Sequence, residues 1–189
     1  MKRRQAIKTG ALVTGYALIA GGSATTFTAC NSDLTDDWIP SFLTQEEVKL
    51  VAEIAERIIP RTDIPGAKDA LVDRYIDENI ALNYTTEKQE KFRADLQLFD
   101  SIARGKFKKA FVKISDEQKD EILTQMYEEV KSLEKNEHHI FKEIRGMTRF
   151  GYCTSEIGAK EALIFDPIPQ RYVGCIDYAE IGGVFSIDK

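Results

Sequence analysis

Apolar residues recur at three- and four-residue intervals in five separate stretches, the spacing that puts them on one face of a helix. The first opens at Thr44-Gln-Glu-Glu47, a capping box, with Leu43 and Val48 as a hydrophobic staple across it. Val48, Val51, Ala52, Ala55, Ile58 and Ile59 follow at helical spacing, and Pro60 ends the run. Pro60–Gly66 is a turn-rich connector. A second helix is predicted over Lys68–Ala81, with Leu71, Val72, Tyr75, Ile76 and Ile80 inward. A third starts at the box Thr86-Glu-Lys-Gln89, carries Phe92, Leu96, Phe99 and Ala103 on one stripe, and stops near Gly105. The box Ser115-Asp-Glu-Gln118 opens a fourth, with Ile122, Met126, Tyr127, Val130 and Leu133 as its apolar face. A fifth spans about Glu137–Phe150 on Ile140, Phe141, Ile144, Met147 and Thr148. No segment sustains the period of two that a half-buried strand needs. The expected fold is mostly α, a single compact bundle of about five helices. From Gly151 onward the periodicity fails, which predicts an irregular C-terminal segment wrapped on the bundle; Ile181–Ile187 is apolar enough to dock as a short strand.

The first thirty residues follow a different pattern. Lys2, Arg3 and Arg4 are basic, no charge occurs from Thr9 to Ser32, and Ala11–Ala20 is apolar. That order reads as an export signal covering residues 1–29. Arg3-Arg4 with Ile7-Lys8 behind them resembles a twin-arginine (Tat) signal, which serves proteins exported already folded. Cys30 after small residues resembles a lipoprotein cleavage site, where it would become the lipidated N-terminus. An uncleaved spanning helix is the alternative, but Gly21-Gly22-Ser23 and the Thr-rich run after it suit it poorly. Residues 30–41, with Asp33, Asp36, Asp37 and Pro40, read as a tether, and residues 42–189 as the folded domain.

Charge narrows the partners. The chain has 26 basic and 31 acidic residues. Residues 1–29 hold four basic and no acidic ones, so the remaining 160 carry 22 against 31, a net charge of −9. Such a chain lacks the basic footprint of a nucleic-acid binder. Of three cysteines, lipidation of Cys30 would leave Cys153 and Cys175, which in an oxidising compartment form either a disulfide or two separate buried thiols.

Candidate chemistry within the chain is sparse. His138 and His139 are adjacent, and neighbours on a helix point about 100° apart, so they do not serve one ion from one face. His139 and Glu143 would supply two ligands, and no spacing offers a third. A nucleophilic pair such as Cys153/His139 or Ser155/His138 has no support from spacing either. No glycine-rich phosphate loop and no Cys-x-x-Cys-His occurs, so no catalytic, cofactor-binding or metal site is assigned to this chain.

Two motifs carry a resemblance. Ile58-Ile-Pro60 runs into Thr62-Asp-Ile-Pro-Gly-Ala67, and Gly151-Tyr-Cys-Thr-Ser-Glu-Ile-Gly158 precedes Phe165-Asp-Pro-Ile-Pro-Gln-Arg-Tyr-Val-Gly-Cys175. Together they resemble the small subunit (subunit 3) family of gluconate 2-dehydrogenase, over most of residues 42–176. The resemblance implies a non-catalytic accessory subunit. It implies a large FAD-containing partner of the glucose–methanol–choline oxidoreductase type, often with a multihaem cytochrome c, and export of that partner on this chain's signal. The family commonly has a second aromatic where Cys153 stands, so a Cys153–Cys175 bridge is not part of the pattern, and Cys30 is not a general family feature.

The docking surface expected from the residues is the C-terminal segment. Tyr152, Phe165, Ile168 and Tyr172 are large apolar groups, Pro167 and Pro169 stiffen the stretch, and Arg171 completes an interface-like composition. The alternative is that these aromatics cap the bundle's own core. A stand-alone exported lipoprotein acting as a binding or structural module is the second functional reading.

Overall fold

The capping boxes set where the helices begin. In the computed structural model, which describes residues 38–134, 137–164, 175 and 177–184, Thr44 Oγ1 accepts from Glu47 N and the Glu47 carboxylate accepts from Thr44 N. That closes α1 (Gln45–Ile58) at its start, with Leu43 and Val48 both buried as the staple requires. Ser115 and Gln118 do the same for α4 (Asp116–Ser132). Between them lie α2 (Val72–Asn83) and α3 (Thr86–Phe107), and then come α5 (Ile140–Thr154) and a short α6 (Tyr178–Ile181). The chain divides into units Met1–Trp38 and Ile39–Lys189, and all these helices belong to the second. The architecture is the expected helical bundle, with five long helices among the described residues. None of the described helices is long and apolar enough to cross a membrane.

The core follows the apolar stripes. Phe92, Leu96, Phe99 and Ala103 of α3 are all buried, and Phe99 meets Phe111 edge-on with centroids 5.8 Å apart. Val51 and Ile54 of α1, Ile76 and Ile80 of α2, Ile122 and Met126 of α4 and Ile144 of α5 complete it. Each such side chain contributes about 1.5–3 kcal/mol on burial. α5 is the hub, packing against α1, α2 and α4 and more lightly against α3.

Several expectations need correction. Leu71 is exposed and left-handed (φ 52°), because residues 68–71 form turns before α2 rather than its first turn. The Thr86–Gln89 box does not form. Thr85 caps α3 without a side-chain bond, and Gln89 Nε2 instead donates to the Ile80 and Ala81 carbonyls at the end of α2. Tyr127 is exposed, whereas Leu123 is buried. α5 begins at Ile140 and continues through Gly151 to Thr154, so irregular structure starts later than the periodicity suggested. Ser41, assigned to the tether, is held on the domain.

That hold comes from Asp77. Its carboxylate is fully buried and accepts three backbone N–H bonds, from Ser41 (2.6 Å), Phe42 (3.1 Å) and Leu43 (2.6 Å). Charge-assisted bonds of this kind are about twice as strong as neutral ones. They pin the chain entering α1 onto α2.

A second polar network ties α1 to α4. Glu53 bonds Lys68 and Lys119, Lys119 reaches Asp116 (3.1 Å), and Arg57 joins Asp116 (3.3 Å) and Asp120. Burial alone would raise the Glu53 carboxyl, but the bonds from Lys119 and Lys68 outweigh it and hold it below its ordinary value. The Lys119 side chain is only 7% exposed, and its two carboxylates keep its ammonium above the usual range despite that burial.

Candidate functional site

The two motifs singled out in the sequence meet in space. In the connector after α1, Gly66 N donates to Asp69 Oδ2 (2.8 Å), and the Glu56 carboxylate accepts from Arg61 N and Lys68 N, both at 2.9 Å. A Cβ on Gly66 would stand 2.6 Å from Arg61 N, so the turn is closed to larger residues. At the end of α5 the Tyr152 hydroxyl donates to the Pro65 carbonyl at 2.6 Å. Residues separated by 87 positions are thereby locked together. Burial, with Cys153, Asp69 and Glu56 nearby, pushes the Tyr152 phenol above its ordinary pKa.

The second motif reads as a helix terminus. Ser155 Oγ donates to the Tyr152 carbonyl (2.7 Å) and accepts from Gly158 N (3.0 Å). A Cβ on Gly158 would collide with that same carbonyl. Thr154 Oγ1 donates back to the Phe150 carbonyl at 2.8 Å. One π-helical turn, Gly158–Ala162, follows, and Ile164 N then bonds the Val184 carbonyl at 2.8 Å. Gly151 has a packing reason: an added Cβ would stand 2.5–3.1 Å from the Tyr75 ring.

The expected docking residues divide. Tyr152 is only 5% exposed and belongs to the bundle's own packing, not to an open surface. Phe165, Ile168, Arg171 and Tyr172 lie outside the described residues, as do Arg3, Arg4 and Cys30. Cys153 is half-buried, Cys175 is exposed, and both carry free thiols. Near the end of α5 Phe150 faces out, 59% exposed, its ring 6.0 Å from that of Tyr75. Its helical position between buried Thr148 and Gly151 gave no signal of this in sequence.

The histidines sit at the start of α5. His139 is its N-cap, Nδ1 accepting from Phe141 N at 3.1 Å. His138 turns to α3, with Nε2 2.9 Å from Asp95 Oδ2 and Nδ1 3.6 Å from Glu143 Oε2. The other Glu143 oxygen accepts the Tyr84 hydroxyl; burial, then this bond, drives the Tyr84 phenol well above its normal pKa. Among the described residues no group of three or more His, Cys, Asp or Glu is placed to hold a metal ion. Ser155 and His138 stand beyond opposite ends of a 15-residue helix, about 22 Å long, so they do not form a catalytic pair.

The opposite flank of α5 faces α1 and α4. Arg145 and Arg149 are both exposed there, beside half-buried Ile58 and Ile59 and the bare backbone of Gly146. The Arg145 guanidinium lies 5.2 Å over the Tyr127 ring. The groove is open to solvent.

A family model, gluconate 2-dehydrogenase subunit 3, matches residues 45–169. The match covers well over half of the chain and spans all five long helices, the first motif and the second as far as Pro169. The chain belongs to the gluconate 2-dehydrogenase subunit 3 family. No curated protein and no solved structure matches it.

Proposed function

We propose that this protein is a non-catalytic accessory subunit of a dehydrogenase complex, exported with its catalytic partner and held at the periplasmic face of a bacterial membrane. The family match over residues 45–169 carries the reading. The partner is a large flavoprotein of the glucose–methanol–choline type that binds FAD and oxidises a sugar or sugar acid, with a cytochrome c subunit as electron acceptor. Flavin and haem reside on those partners. Arg3-Arg4 supplies the export signal for the folded pair, and Cys30 the lipid anchor. The bundle's part is mechanical: Asp77 and the Tyr152–Pro65 bond hold both ends of the helical body rigid, so a partner meets a preformed surface.

The test is a pull-down of the tagged full-length chain from membranes of its native host. A flavin-bearing dehydrogenase subunit should accompany it, and R3K/R4K should leave both proteins in the cytoplasm. Recovery of the chain without any flavoprotein would overturn the reading in favour of a stand-alone lipoprotein.

A further inference from the structure

We infer that the groove between the end of α1 and the outer face of α5 is the seat of an acidic, apolar-anchored segment of the catalytic subunit, Arg145 and Arg149 being its carboxylate-binding residues. The inference rests on the subunit reading above. Arg145 and Arg149 are four apart on one helix face, with Cβ atoms about 6 Å from each other. No carboxylate among the described residues pairs with either of them.

The nearest paired carboxylates serve another arginine. Asp116 and Asp120, the α4 carboxylates that pair with Arg57, are already committed, Asp116 to Lys119 as well. Arg57 and Arg145 border the same depression, yet among the described residues only Arg57 has carboxylate partners. The Tyr127 ring supports the Arg145 guanidinium without neutralising it. Guanidinium forks held this way bind carboxylates in pairs of parallel bonds.

The floor of the groove fixes the rest of the occupant. Ile58 and Ile59 are half-buried at its base, and Gly146 offers backbone with nothing within 4 Å of a built Cβ. A side chain of aliphatic or aromatic type fits above them, flanked by carboxylates for the arginines. The net charge of −9 after residue 29 repels an anionic lipid surface or a nucleic acid at long range. The basic patch is therefore local and concave, which suits a protein segment rather than a membrane plane.

The experiment uses the tagged full-length chain recovered from membranes of its native host. R145E/R149E should lower the flavin recovered per chain at least tenfold, and R145K/R149K, which keeps charge but loses the fork, about two- to fivefold. Helical circular dichroism and melting temperature should match the unaltered chain; if charge reversal disturbs folding, R145A/R149A is read instead. A photo-crosslinking residue at Gly146 should attach to a flavoprotein peptide rich in Asp or Glu. Undiminished flavin recovery with R145E/R149E, or crosslinks to lipid or to a second copy, would overturn the groove and leave the subunit reading standing. Failure of the unaltered chain to retain flavoprotein would overturn both.

Discussion

On the side of α5 that faces α2 and α3, Glu143 takes the Tyr84 hydroxyl, His138 bridges toward Asp95, and the Tyr75 ring lies against Gly151. On the side that faces α1, Arg145 and Arg149 stand over Ile58 and Ile59 with open space above Gly146. The same helix thus has one flank joined by hydrogen bonds and packing to its own chain and one flank where, among the described residues, two guanidinium groups and apolar surface lie open. Closed polar groups hold a fold together, because leaving a buried one unpaired is costly. Unmatched ones at an exposed groove cost little in the free chain, since water serves them, and become useful when a partner supplies the complement. The difference teaches that Gly151 and Tyr152 serve the fold, while the open guanidinium groups lie where the sequence drew no attention.

Substitutions can break this contrast. The largest effect is expected at the closed end of α5. Gly158→Ala forces a methyl group into the Tyr152 carbonyl and should lower stability by about 1–3 kcal/mol in urea unfolding. An unchanged midpoint would mean that the end of the helix can shift freely. Tyr84→Phe removes the donor to Glu143, whose second oxygen already has no hydrogen bond. A loss of about 1–2 kcal/mol should follow, measured the same way. Gly146→Ala on the open flank should do the opposite. Its Cβ meets nothing, so the gain in helix propensity should stabilise the domain by about 0.5–1 kcal/mol. Destabilisation there would show that the open flank is packed after all.

Much of the fold was legible because it is local. The capping boxes at Thr44 and Ser115 need only residues three positions apart, and both form. The α3 stripe is buried as its spacing predicts. The apparent box at Thr86 shows the limit of that logic. It satisfies the same pattern, yet Gln89 finds better acceptors at the end of α2, a neighbour that local spacing does not reveal. Of the site, the motifs are legible as motifs, but the sequence leaves Tyr152 open between a docking surface and a cap on the core, and the fold buries it. Its neighbours Gly and Ser are loop formers by composition, and only the packing of Tyr75 and the Ser155–Gly158 closure make this stretch the last turn of a helix.

Asp77 and Lys119 make the division plainest. In the sequence each is one charged residue among many on helices with solvated faces. In the fold Asp77 is fully buried beneath three backbone donors, and Lys119 is sealed between Glu53 and Asp116. The sequence by itself determined the helices, their starts and their apolar faces, because those depend on contacts one turn apart. Only the tertiary structure decided which charges are enclosed and which are left open. That choice depends on what stands opposite in three dimensions, and it separates Arg57, held by two aspartates, from Arg145, which has none among the described residues.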